Sequence, residues 1–163
     1  MAVYKPIPEV LRTEVGRILA LITTGNGYNY TLRKVYPMYV DAGDAKKDDY
    51  PYACYFVHPE EELRASFSTV DELYTVQITA FVDLRKSDTV DMATKVSRVW
   101  GDIKKAITAQ RTTAFTNIAT GGAGAKLIDW KLGGAVQVAS YKGPYGYADG
   151  QLLVTVQRPR GEA

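Results

Sequence analysis

The sequence predicts an α+β fold, a mostly antiparallel β-sheet with two amphipathic helices packed on one face. Three observations predict it. Leu11, Val15, Ile18, Leu19 and Ile22 recur at steps of three and four, the spacing of one helix face. Tyr74, Val76, Ile78, Ala80 and Val82 alternate with Thr75, Gln77, Thr79 and Phe81, the spacing of a strand with one strongly apolar side. Directly after that strand, Met92, Val96, Val99, Ile103 and Ile107 form a second helical stripe. Short turns elsewhere favour antiparallel neighbours, and helices gathered on one side complete the class.

The elements follow in order. The first helix begins after Pro8, turns Arg12, Glu14 and Arg17 to the other face, and is stopped by Gly25-Asn26-Gly27. Tyr30 to Val40 reads as extended, with Pro37 arguing against a central strand. Asp41 to Asp49 is polar, contains Gly43, and reads as an exposed loop. Tyr52 to Val57, between Pro51 and Pro59, reads as a short strand buried on both faces. Pro59 to Thr69 is open between a helical turn led by Glu60, Glu61 and Glu62 and a hairpin arm.

Ser87-Asp88 reads as the cap of the long helix, with Asp91 in its first turn. That helix should run from about Asp88 to Ala109, about 30 Å, with Asp91, Lys95, Arg98, Asp102 and Lys105 facing away. Each aliphatic side chain on its stripe contributes about 1.5–3 kcal/mol on full burial, so the stripe must dock, and the strand before it is the platform. A Gly-rich linker, Thr120 to Ala125, leads to strands at Leu127–Lys131 and Ala135–Ser140. The tyrosine-rich segment Tyr141–Tyr147 then leads to a strand over Gln151–Gln157, with Leu152, Val154 and Val156 on one face. No repeat or domain-sized linker divides residues 1–163, which read as one domain.

Composition bounds the function. An apolar content of 46% and a charged content of 23% are those of a globular chain. Twenty Lys and Arg against 18 Asp and Glu leave a net charge of +2, too little to argue for a sequence-specific nucleic-acid partner or a membrane surface. No apolar run approaches the length of a membrane span, and the N-terminus lacks the pattern of a signal peptide. The single cysteine, Cys54, lies in an apolar run and reads as a small buried hydrophobe.

The residues offer little catalytic chemistry. His58 is the only histidine, so a Ser-His-Asp or Cys-His device would have to pass through it. Glu60 and Glu62 beside it fall short of a metal site, which would want further His or Cys ligands. The Gly121–Lys126 stretch lacks the Gly-Lys-Ser/Thr ending of a phosphate loop and enters a strand. These observations lead to an expectation of no enzyme activity, no cofactor, and no catalytic or metal-binding residues. The informative segment is Tyr141–Tyr147, where rings pack locally, serve a protein interface, in which aromatics are enriched, or stack on single-stranded nucleic acid, which the weak net charge disfavours.

The order of elements resembles the tail terminator (tail completion) proteins of long-tailed bacteriophages. The resemblance rests on the Pro8–Ile22 helix, the Tyr52–Val57 strand, and the strand Leu73–Asp83 running through a Lys/Ser/Asp turn into a long helix. A Gly-rich passage and closing strands complete it. It implies a virion protein of the phage neck, assembled in the host cytoplasm, that forms a homo-oligomeric, hexameric ring on the tail tube. Such a ring ends tail polymerisation and offers a head-joining surface. The implied partners are the chain itself, the tail tube protein, a head-completion protein, and a sheath protein if the tail contracts. Another neck or minor tail protein is the alternative, and a small ligand-binding or enzymatic domain built around His58 a further one. Expected contact residues are Asp83, Arg85 and Lys86 at the strand-to-helix corner and Tyr141, Lys142, Tyr145 and Tyr147 in the aromatic segment.

Overall fold

The structure is a computed structural model that describes residues 5–84, 89–122 and 124–160. Helix α1 spans Ile7–Ala20, with Pro8 in its first turn, where a missing N–H is tolerated. Its buried side is Ile7, Val10, Leu11, Val15, Ile18 and Leu19, the stripe expected with one more turn at the front. The chain then turns at Thr23, whose Oγ1 accepts from the Asn26 N–H at 3.2 Å, and at Gly27, which holds φ 84°.

Seven strands form one sheet among the described residues: β1 Lys34–Tyr36, β2 Tyr52–Val57, β3 Glu61–Ala65, β4 Thr69–Asp83, β5 Lys126–Leu132, β6 Val136–Tyr141 and β7 Tyr145–Pro159. The order is β1-β2-β4-β7-β5, with β3 beside β4 and β6 beside β7. Only β1 and β2 run parallel in this sheet. The spine is β4 paired with β7, in register from Thr69 opposite Pro159 to Asp83 opposite Tyr145. Pro59–Thr69 resolves as a hairpin arm, since β3 folds back on Val70–Leu73. The closing strand is longer than expected because the tyrosine segment supplies its first residues.

Helix α2 spans Met92–Ala109 and docks Val96, Val99, Trp100, Ile103, Ala106 and Ile107 on the sheet. The cap expected at Ser87-Asp88 falls outside the described residues. The helix starts one residue after Asp91, whose Oδ1 accepts from the Thr94 N–H at 2.9 Å, and this capping holds the Asp91 carboxyl below its ordinary pKa. A third helix, α3, spans Arg111–Gly121 and follows α2 through Gln110 alone. It corrects the expected count of two helices.

α3 also explains a reversed side chain. Glu14, expected outward, is 4% exposed, because α3 covers that flank of α1. There it accepts from Arg17 Nε at 3.2 Å and from Asn117 Nδ2 at 2.9 Å. Two residues expected on the free face of α2 are likewise buried. Asp102 accepts from the Asn29 and Tyr30 N–H groups, each at 3.0 Å, and so pins the segment after α1. Lys95 donates from Nζ to the Asp83 carbonyl at 2.7 Å.

The core has two layers. The larger lies between the helices and the sheet face carrying Tyr74, Val76, Ile78, Ala80, Leu152, Val154 and Val156. The smaller lies on the opposite face, where Tyr50, Tyr52, Cys54, Phe81 and Ala42 cluster. The Asp41–Asp49 segment is exposed at most positions, as expected, but buries Ala42 against this second layer.

A candidate interaction surface

Phe81 points away from the helices and is completely buried. What buries it is a layer of tyrosines. Tyr52 stacks on it with ring centres 5.1 Å apart, Tyr147 tilts over it at 5.7 Å, and Tyr50 stacks on Tyr145 at 5.0 Å. Tyr141 meets Tyr147 edge-on at 5.0 Å. The β6–β7 hairpin supplies three of these rings because its turn is tight. The turn is the three residues Lys142–Pro144, in which Lys142 and Gly143 both adopt positive φ, at 44° and 77°.

A carboxylate straps the layer together. Asp41 receives the Tyr141 hydroxyl at 3.0 Å, the Tyr39 hydroxyl at 3.2 Å and the Ala42 N–H at 2.9 Å, and it also pairs with the Lys142 ammonium. Lys142, then Tyr141 and the Ala42 amide, hold the Asp41 carboxyl below its ordinary range against the opposing effect of desolvation, and Asp41 in turn raises the ammonium of Lys142. At the far rim, donation to Asp49 at 2.7 Å pushes Tyr36 up to about 12. Burial raises Tyr52 and Tyr39 further. As hydrogen-bond donors these phenols hold the Asp49 and Asp41 carboxylates and the Val40 carbonyl.

Beside the rings runs a polar strip. Asp149 accepts from Gln77 Nε2 at 2.6 Å and from Thr79 Oγ1 at 2.7 Å, and Gln151 donates to Gln77 Oε1 at 3.1 Å. Gln77, Thr79 and Asp149 of this strip, together with Tyr39, Phe56, Tyr141 and Tyr147, line an open pocket of about 470 Å³. The arrangement offers hydrogen-bond acceptors framed by aromatic edges, the chemistry of recognition.

The residues expected at contacts are thus brought into two groups. Asp83 and Tyr145 face each other at one end of the β4–β7 pair, while Tyr141, Lys142 and Tyr147 gather around Asp41 and Phe81. Arg85 and Lys86 lie outside the described residues. The rings of the aromatic segment pack locally in the fold, with Tyr141, Tyr145 and Tyr147 all part-buried. His58 stands apart, its ring 4.6 Å from Phe56. No group of three or more His, Cys, Asp or Glu is placed to hold a metal among the described residues. Cys54 is 2% exposed and burial raises its thiol pKa.

Sequence reasoning missed Phe67, which is 98% exposed at the tip of the β3–β4 arm. Its signal was present as a lone aromatic between Ser66 and Ser68, where a turn residue would be expected. It also missed Asp41 and Asp149, whose partners are distant in the chain.

The Asp41 strap gives a pH prediction. A carboxyl held below its unfolded value of about 3.9 contributes fully above that value and stops contributing as pH falls through the lowered one. Near-UV circular dichroism of the tyrosines should therefore show an acid transition below about pH 4 that Asp41→Asn removes. An identical transition in the variant would assign it elsewhere.

Comparison with protein-family models and with curated proteins finds no match. Among solved structures, the chain is similar to one from a virion of a native gene transfer agent particle. That likeness has a TM-score of 0.41 and 14% identity and covers 90% of each chain. At that score it carries no argument about function.

Proposed function

We propose that this chain is a structural virion protein of the tail-terminator kind, a subunit of a ring that caps a phage tail tube and receives the head. In this reading its work is binding, to copies of itself, to the tube protein and to a head-completion protein, and it carries out no catalysis. The order of helix, short strand, long strand and long helix supports it. The observation that carries it is the β3–β4 arm. Every residue of β3 is exposed, Leu63 is 51% exposed and Phe67 98% exposed. β3 is an edge strand, held by a β4 segment that β7 backs on its other side, and large exposed apolar side chains on such an edge and at its turn are the form of a contact with another molecule.

The test is assembly without the chain. Particles made in its absence should have tails of uncontrolled length or tails without heads, and the chain should be present in purified virions. Uniform tails with heads attached would sink the terminator reading.

A further inference from the structure

Strands β3 and β5 lie on opposite edges of the sheet at the same height. Glu61 of β3 is level with Leu73 of β4, Thr155 of β7 and Asp129 of β5. The two edges carry opposite charge. Glu60, Glu61 and Glu62 stand against Arg64 on one, and Lys126 and Lys131 against Asp129 on the other, all exposed. Among the described residues, none of Glu61, Glu62, Lys126 and Lys131 has an ion-pair partner.

A second feature repeats on both edges. Each strand shifts register at one residue, between Glu62 and Arg64 in β3 and between Leu127 and Asp129 in β5. The extra residue is in each case a half-exposed aliphatic, Leu63 at 51% and Ile128 at 45%. A bulge breaks the row of backbone donors and acceptors that an edge would otherwise offer to any passing strand. These edges are therefore protected from open-ended ladder pairing while still presenting an apolar side chain flanked by charge.

From these observations we propose that the β3 edge of one copy docks antiparallel on the β5 edge of a second copy, shifted along the strand so that Glu62 faces Lys131 and Arg64 faces Asp129, with Leu63 and Ile128 both in the seam. The contact is heterologous: each copy offers one edge of each kind, and repeated rotation closes such contacts into a ring. This rests on the ring reading above and names the surfaces that make it. The two edges suffice for association in solution, and added salt weakens it by screening.

Charge reversal tests the pairing. Glu61→Lys/Glu62→Lys gives a chain with two basic edges, and Lys126→Glu/Lys131→Glu gives one with two acidic edges. By sedimentation the wild type should associate and each variant alone should be monomeric. All these positions are exposed, so circular dichroism should be unchanged. An equimolar mixture of the two variants should recover the associated species, because basic and acidic edges again alternate. Association of either variant as tight as that of the wild type, or a mixture that stays monomeric, overturns the edge pairing and leaves the ring standing on other surfaces. A wild-type chain that remains monomeric at its solubility limit overturns the ring in solution and the edge pairing together.

Discussion

Ile103→Asp should abolish the cooperative fold. Ile103 is completely buried in the α2 stripe, within the core shared with Val76, Ile78 and Leu152. A carboxylate placed there either stays charged without a partner or takes up a proton and remains a buried polar group without a hydrogen bond. The penalty is several kcal/mol either way, added to the loss of about 2 kcal/mol of apolar burial. Domains of this kind are stable by only about 5–15 kcal/mol. Far-UV circular dichroism and denaturant titration would check it, with Ile103→Val, expected to cost about 1 kcal/mol, as the packing control. A soluble Asp variant with a cooperative transition near that of the wild type would mean that α2 does not dock on β4 as described.

The second large effect is expected at Gly150→Ala. A Cβ at Gly150 would lie 2.5 Å from Cη2 and 2.7 Å from Cζ2 of Trp100, whose ring is itself buried. Atoms at that distance must move, and an indole wedged between helix and sheet has nowhere short to go. Overpacking of this kind costs about 1–3 kcal/mol, and a midpoint shift in urea would register it. Gly101→Ala is the contrasting case: no atom stands within 4 Å of its added Cβ. It sits on the exposed side of α2, where exchanging Gly for Ala should stabilise by about 0.5–1 kcal/mol. Trp100→Phe, made together with Gly150→Ala, should recover part of the loss, because two residues in contact do not add. Equal effects of Ala at 101 and 150 would refute the close approach.

What the sequence disclosed and what it withheld differ in kind. The α2 stripe and the alternation of β4 were legible because each is a local period repeated over three or more turns or pleats. α3 was not, since Arg111–Gly121 is rich in Thr and buries only Ala114 and Ile118. One i, i+4 pair is no stripe, and the helix persists because α1 and β5 pack against it. Missing α3 is also why Glu14 was placed outward, as a helical wheel gives a side chain's direction but not what stands there. Asp102 and Lys95 were misplaced for the same reason. The candidate surface was half legible: its tyrosines stand out in composition, but Asp41 reaches Tyr141 from 100 residues away, and no spacing rule connects them. Phe67 was overlooked because an apolar residue at a turn contradicts the expectation that turns are polar, and such contradictions are where function tends to reside.

The position of β7 has a consequence for biosynthesis. It is the last strand among the described residues, yet it lies in the interior of the sheet and pairs with β4, β5 and β6. Until its residues have left the ribosome, one long side of β4 has no hydrogen-bonding neighbour, and β5 and β6 have no sheet to join. Leu152, Val154 and Val156 are also absent from the platform on which the helices rest. Pairing between segments so distant in the chain is slow to nucleate, because loop closure precedes any reward from contact. The nascent chain must therefore wait, with an incomplete sheet and an uncovered apolar face, for β7 to arrive. Chaperone protection during that interval and a steep loss of soluble yield on shortening β7 both follow from where a single strand sits.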